Sequence, residues 1–396
     1  MHALLVAAAS IASAAALVRG PYVEGVTGAS AFICWRTDVE TAGALEVRLG
    51  PGARPAHQVL ERRPQRQHCL EASDLSPSGR YEYRVGYGEP GAALVWTSTR
   101  AFGAAAAADA PALRFAVFGD TGQDTEGQRA VGRAIGAETP ELVLHAGDVV
   151  YPHGEDADYD RKYFSVYGGF IDRIPLYFAV GNHDYANHRF RAEKGRRWIQ
   201  DHFLRIHRLP RQREDGRWRL PPPGRTYYSF DWGPAHFAAI DANRVYPIPG
   251  APAVHPESEQ WRWLDRDLAS SSARWKFVLL HQAVYSSGYH GAHEPLVEWV
   301  APLLERHGVD LVFQGHDHHY ERTAPIREGR PAERGPVYLV VGNGGAPLHS
   351  IRKRRAWSAY RAKRFGYVLV RIDGGRLQVE AKSPEGEVFD RLELRR

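Results

Sequence analysis

From Arg19 to about Phe102, apolar and polar residues alternate in short runs punctuated by Gly, Pro and Asp. Ala29–Asp38, Ala44–Gly50, Gly79–Gly88 and Ala93–Phe102 each carry the two-residue alternation of a half-buried strand. Four such runs over ~80 residues predict a small all-β sandwich with Trp35, Tyr81 and Tyr83 in its core. The run Gly103–Ala112, GAAAAADAPA, has no periodicity and little to bury, so it reads as a linker over residues 104–112.

Beyond it the pattern changes. Leu113–Phe118, Glu141–Ala146, Pro175–Val180, Trp275–Leu280 and Val309–Gln314 are near-continuous apolar runs, as in strands buried on both faces. Helical segments lie between them, as over Thr125–Ala137. Strands of this kind joined through helices predict an α/β domain over residues 113–396. Alternation returns in Tyr367–Leu394, read as a β-meander with Gly374-Gly375 turning between its first two strands. Arg189–Arg225, rich in Arg, Trp and Pro, reads as an insertion with helix around Arg197–Ile206 and a solvated charged face. The predicted fold class is therefore an N-terminal all-β sandwich over residues 19–103 followed by an α/β domain.

The first eighteen residues, MHALLVAAASIASAAALV, are apolar and small, with Ala-x-Ala-like sites near Ala14 and Ala16. That is the pattern of a secretory signal peptide, lacking only a positive start, and it implies a secreted or periplasmic protein. A short uncleaved anchor is the other reading. Residues 1–18 are set outside the fold on either account.

Composition adds limits rather than a function. With 43% hydrophobic and 24% charged residues, and no 18-residue apolar run after the N-terminus, no membrane span is expected. A formal charge of +5 favours anionic partners, but no dense one-sided basic patch marks nucleic acid as the main one. Cys34 and Cys69 either pair, as suits an exported chain, or serve as small buried hydrophobes; they have no Cys-x-x-Cys spacing for a metal.

The chemistry gathers at strand ends. Gly119-Asp120, Gly147-Asp148 with Tyr151, Gly181-Asn182-His183-Asp184, His281, and Gly315-His316-Asp317-His318-His319 each follow an apolar run. Singly these are ordinary turns, caps or half-buried histidines. Together, on five successive strand ends, they occupy the place where α/β sheets bind ligands. Two adjacent cations need a bridging carboxylate and further ligands for each shell. Oxygen donors suit ferric iron, manganese or magnesium, and imidazole suits zinc or divalent iron. His316 and His318 stand at i and i+2, on one face of an extended chain, and Gly315 permits the turn that brings both toward one site.

On these residues the chain resembles the purple acid phosphatases, within the calcineurin-like metallophosphoesterase superfamily. The matching motifs are Asp120 in Gly-Asp-Thr-Gly, Asp148 and Tyr151 in Gly-Asp-Val-Val-Tyr, Asn182 and His183 in Gly-Asn-His-Asp, His281 in Val-Leu-Leu-His, and His316 with His318 in Gly-His-Asp-His-His-Tyr-Glu-Arg. Arg19-Gly20-Pro21-Tyr22 and the strand reaching Trp35 look like that family's fibronectin-III-like domain, so the resemblance covers most of residues 19–345. The insertion and the basic run Arg352–Arg355 fall outside it. That run has a stronger claim to a substrate role than the insertion, because it follows the Gly-rich loop Gly342–Gly345.

The resemblance implies ferric iron on Asp120, Asp148, Tyr151 and His318, and a second, divalent metal (iron, zinc or manganese) on Asp148, Asn182, His281 and His316. It implies a secreted acid phosphatase that hydrolyses small phosphate monoesters by attack of a metal-bound hydroxide. His183 is the expected proton donor to the leaving group, and His290 the expected substrate contact. Asp184 and Arg322 are expected to orient His183 or the His316/His318 turn. Some relatives carry a histidine directly after the position of His290, where this chain has Gly291; the substrate range is not carried over for that reason. A phosphodiesterase or nucleotidase on the same cage is the alternative, and a non-catalytic binding protein is the rival from another class. No feature of the chain sets an oligomeric state.

Overall fold

The computed structural model describes residues 15–50, 57–186, 192–214, 217–352 and 354–396. Most of the expected signal peptide, parts of the insertion and Lys353 of the basic run lie outside the described residues. Leu17 and Val18, set aside with the signal peptide on composition, instead open the first strand, Leu17–Glu24, where Leu17 faces Thr37.

One 19-residue strand, Ala31–Leu49, takes in both of the first two predicted strands. Its first half pairs with Leu17–Glu24 and Gln65–Ala72, and its second half with His57–Leu60 and Arg80–Gly88. The register shifts between Arg36 and Thr41, where Asp38, Val39 and Glu40 are exposed. There the strand crosses from one sheet to the other, which is how a sandwich corner is made. The last predicted strand divides into Val95–Trp96 and Arg100–Gly103. Trp35, Tyr81 and Tyr83 are buried, and Trp35 stacks on His68 with centroids 4.8 Å apart. Cys34 and Cys69 face each other across paired strands and form a disulfide.

The sandwich is fastened to the rest of the chain by both apolar and charged contacts. Tyr22, Phe32 and Cys34 join a core with Tyr159, Tyr163 and Phe178. The buried Arg19 guanidinium pairs with Asp156 at 2.8 Å and Asp160 at 2.7 Å.

Two sheets form the centre of the second region. The first has the strand order Leu176–Phe178, Leu142–His145, Ala112–Phe118, Tyr367–Asp373, Arg376–Lys382, Val388–Arg395. The second runs Tyr228–Trp232, Ala235–Ala239, Trp275–Leu280, Leu311–Gln314, Val337–Val341, Tyr320–Thr323, Ser358–Ala362. Phe115 from the first meets Phe237 and Phe277 from the second at 5.2 and 5.3 Å, so the sheets pack face to face. Alternate residues serve the outer layers. Ala116, Phe118 and Val143 pack with Val131 and Ile135 of helix Glu126–Glu138, while Val278, Leu280 and Val312 pack with Leu264 and Leu268 of helix Glu259–Ser270. Burial on both faces is why these strands read as unbroken apolar runs. Thr125 caps the first helix, its hydroxyl accepting from the Gln128 N–H at 3.0 Å. Among the described residues, no helix is long and apolar enough to cross a membrane.

The second sheet also contains a titratable clasp. His236 is buried, with Nδ1 2.7 Å from Asp231 and Nε2 2.9 Å from Asp267. Burial lowers its basicity, but the two carboxylates more than reverse this and raise it to about 9. A histidine raised above its unfolded value of ~6.5 stabilises the fold fully below that pH, and the contribution is lost as pH rises through about 9. His236→Gln is therefore expected to lose ~1–3 kcal/mol at pH 6 and to flatten the decline in melting temperature between pH 6.5 and 9. Identical melting profiles for the two proteins would refute the assignment.

Candidate metal centre

In the first sheet, Ala112–Phe118, Leu142–His145 and Leu176–Phe178 are parallel; in the second, Ala235–Ala239, Trp275–Leu280, Leu311–Gln314 and Val337–Val341 are parallel. Their carboxyl ends meet at one edge of the sandwich. There Asp120, Asp148 and His316 take left-handed backbone conformations, with φ of 55°, 53° and 69°. For residues bearing a Cβ this costs ~1–3 kcal/mol each, and such strain collects where side chains must be aimed. Two glycines make the approach possible. A Cβ on Gly181 would run into the Asp148 side chain, and one on Gly315 would lie 2.5 Å from Asp120 Oδ2.

All seven expected ligands converge here, buried, in two groups. In the first, His281 Nδ1 donates to the Ala146 carbonyl at 2.8 Å, turning Nε2 inward. That nitrogen faces Asn182 Oδ1 at 3.1 Å, His316 Nδ1 at 3.2 Å and Asp148 Oδ2 at 3.3 Å. The Tyr246 hydroxyl, 2.9 Å from His316 Nε2, fixes that ring. In the second group, His318 Nδ1 donates to the Pro347 carbonyl at 2.9 Å. Its Nε2 lies 3.0 Å from the Tyr151 hydroxyl and 3.4 Å from Asp120 Oδ1, and that hydroxyl lies 3.3 Å from the same oxygen. Asp148 acts on both groups through its charge.

The donor chemistry fits cations. Inward-turned nitrogen and oxygen lone pairs repel each other unless a proton or a metal lies between them, and the carbonyl-anchored imidazoles are the usual orientation for metal ligands. Burial disfavours the charged form of His281, but Asp148 and Asp120 raise it to about 10. Burial also opposes ionisation of Asp148, yet the His281 and His183 imidazoles hold its carboxyl well below the ordinary range. Burial, Asp148 and Asp120 push the Tyr151 phenol well up, so it needs a strongly attracting cation to ionise.

The remaining predicted residues fall differently. His183 Nδ1 donates to the Pro152 carbonyl at 2.6 Å, its backbone N–H donates to Asp148 Oδ1 at 2.8 Å, and its ring packs on Tyr151 with centroids 4.3 Å apart. Asp184 does not reach out to orient the His183 ring or the His316/His318 turn. Its carboxyl accepts from the N–H groups of Asp148 and Val149 at 3.1 Å each and of Gly181 at 2.8 Å, bracing the Asp148 loop. Burial and the nearby Asp148 raise it to about 8. Arg322 is likewise engaged elsewhere, in a bidentate pair with Asp390 at 2.7 and 2.9 Å. His290 is exposed, with its ring centroid 3.9 Å from that of His316.

Three residues at the site had not been singled out: Tyr246, Asp317 and His349. Asp317 is buried and accepts from the His290 N–H at 2.8 Å, the Gly291 N–H at 3.1 Å and the Ser286 hydroxyl at 2.6 Å, pinning the loop that carries His290. Its place between His316 and His318 was the available signal. Tyr246 and His349 sit in no motif. Among the described residues, Asp148/His281/His316 and His290/Asp317/His349 each offer three donor atoms within 4.8 Å of one another.

Comparison with known proteins agrees with this architecture. The calcineurin-like phosphoesterase family pattern matches residues 113–320, over half of the chain, and an iron/zinc purple acid phosphatase-like C-terminal pattern matches residues 335–391. Acid phosphatase type 7 of Mus musculus is 26% identical over 365 residues, covering 82% of this chain and 75% of that protein. Purple acid phosphatase 18 of Arabidopsis thaliana is 27% identical over 337 residues, covering 81% and 68%. The structure of purple acid phosphatase PPD1 from yellow lupin (Lupinus luteus) seeds superposes with a TM-score of 0.81 over 95% of this chain and 74% of that one; at 20% identity, the likeness concerns the fold.

Proposed function

Since the chain belongs to the calcineurin-like phosphoesterase family, in its purple acid phosphatase branch, we propose that this metal-dependent phosphoesterase is an exported acid phosphatase acting on small phosphate monoesters. Asp120, Asp148, Tyr151 and His318 would hold ferric iron, and Asp148, Asn182, His281 and His316 divalent iron, zinc or manganese. The observation that carries this reading is the buried Tyr151 hydroxyl, 3.0 Å from His318 Nε2 and 3.3 Å from Asp120 Oδ1, beside a second group richer in imidazole. An oxygen-rich group next to a nitrogen-rich one suits a hard trivalent and a softer divalent ion.

When bound, the two cations supply Lewis acidity, polarising phosphoryl oxygens and bringing water close to ionisation at neutral or acid pH. The chain's own groups do the rest. Asp184 holds the Asp148 loop, and the Ala146 and Pro347 carbonyls aim His281 and His318. With Nδ1 tied to Pro152, His183 turns Nε2 to the site and delivers a proton to the leaving oxygen. His290 lies over His316 at the rim and contacts the substrate.

The test combines spectra, metal content and rates for wild type and Tyr151→Phe. Purified wild type is expected to contain iron, to absorb in the visible through a tyrosinate–iron band, and to hydrolyse p-nitrophenyl phosphate faster than its bis-ester. Tyr151→Phe is expected to lose the band. An active wild type that is colourless and free of iron would refute the purple assignment, and a faster rate on the bis-ester would replace the monoesterase reading with a diesterase one.

A further inference from the structure

The rim beside the metal centre carries aromatic surface and positive charge outside the two ligand groups. His349 stacks on His318 with centroids 3.7 Å apart and planes 14° from parallel. Tyr289, 56% exposed, lies 5.6 Å from the His349 ring. The Arg352 guanidinium sits 5.4 Å from the Tyr289 ring centre, and the Arg352 N–H donates to the Ser287 carbonyl at 2.8 Å, tying its segment to the His290 loop.

Among the described residues of the basic run, Arg352 is the side chain directed to the rim, against Tyr289. Arg354 is occupied by the Ser358 carbonyl at 2.9 and 3.0 Å, and Arg355 lies over Trp357. Arg352 is exposed and has no carboxylate partner among the described residues. Arg361 beneath it donates to the Arg352 carbonyl at 2.9 Å. The carboxylates below are buried and already engaged: Asp317 by the three donors named above, and Glu321 by the Ser287 N–H at 2.7 Å and hydroxyl at 2.9 Å. Glu321 does not reach the rim, and Asp317 reaches His349 but not Arg352.

We propose that Arg352 and His349, flanked by Tyr289, form a subsite for a second phosphoryl group, so that the preferred substrates are small molecules whose leaving group carries further phosphate. This rests on the phosphoesterase reading of the neighbouring metal centre. A guanidinium presents a fork of donors matched to phosphate oxygens, and a ring face holds it in place without cancelling its charge. His349, stacked on His318 and accepting its N–H at Nδ1 at 3.3 Å, leaves Nε2 for a phosphoryl oxygen beside the ligand group. The Asp317 charge orients the loop from below, with its Oδ1 3.9 Å from His349 Nδ1.

The test is a binding measurement on metal-loaded wild type, Arg352→Ser and His349→Gln, titrated by calorimetry with methylphosphonate and methylenediphosphonate, neither of which is a phosphoester. Wild type is expected to prefer the diphosphonate by about tenfold or more, Arg352→Ser by about twofold, and His349→Gln by an intermediate factor. An unchanged preference in both variants overturns the subsite. So does a third cation per chain that His349→Gln loses, because it would assign His290, Asp317 and His349 to a metal. No turnover is needed, so a protein that binds both phosphonates in the expected ratio but fails on p-nitrophenyl phosphate keeps the subsite and loses the catalytic reading. Failure to bind either phosphonate removes both.

Discussion

Asp148→Asn is expected to reduce hydrolysis by about 10³-fold or more and to leave the purified protein with fewer than two cations per chain. The substitution keeps the shape of the side chain. Asn can still accept the His183 N–H that now reaches Asp148 Oδ1 at 2.8 Å, so the loop has little reason to move. What it removes is the negative charge shared by the two ligand groups. Two cations held side by side repel each other strongly in a buried, low-dielectric site, and an anion between them offsets that repulsion where a neutral amide does not. The proton balance of the metal-free site changes in step, because Asp148 is the chief group raising His281 to about 10. Metal content by mass spectrometry, hydrolysis of p-nitrophenyl phosphate and a melting curve separate the possible outcomes. Full activity with both ions retained would show that Asp148 is not the bridge. A large drop in melting temperature in the metal-free protein would instead trace the loss to a disturbed loop.

The residues that cluster at the strand ends were more legible in the sequence than the groups that brace them, for a physical reason. A side chain aimed inward from a strand end needs a sharp turn and close backbone approach, so Gly119, Gly147, Gly181 and Gly315 precede Asp120, Asp148, Asn182 and His316 and mark them in the chain. Groups that steady a ligand need only reach it in space. Tyr246 follows a short 3-10 turn with no motif, and Arg322 meets its partner Asp390 68 residues later, with nothing local to announce the pair. Asp184 was visible in Gly-Asn-His-Asp, but its partners were not, because it binds the backbone of a different loop. The same division holds for the fold. Strands buried on both faces declare themselves as apolar runs. The strand Ala31–Leu49 concealed its continuity, because exposed Asp38–Glu40 at its bend resembles a turn, and Gln65–Ala72 was missed because QRQHCLEA has no clean alternation.

His183→Asn is expected to separate substrates by the basicity of their leaving groups. It should lower kcat by about 10²-fold for an alkyl phosphate and by less than about fivefold for p-nitrophenyl phosphate. An alkoxide leaves slowly without a proton, whereas nitrophenolate is stable enough to leave without one. The proposed role rests on where His183 sits. The bond from Nδ1 to the Pro152 carbonyl fixes the ring, and Nε2, 3.9 Å from Asp148 Oδ2, sits at the edge of the two ligand groups on a side chain 20% exposed. Asn removes the ionisable group but leaves untouched the backbone N–H that holds Asp148, so metal content should not change. The rates are measured on the two esters with metal content determined in parallel. An equal loss on both substrates would refute the proton-donor role and make His183 a packing partner of Tyr151, whose ring it covers at 4.3 Å.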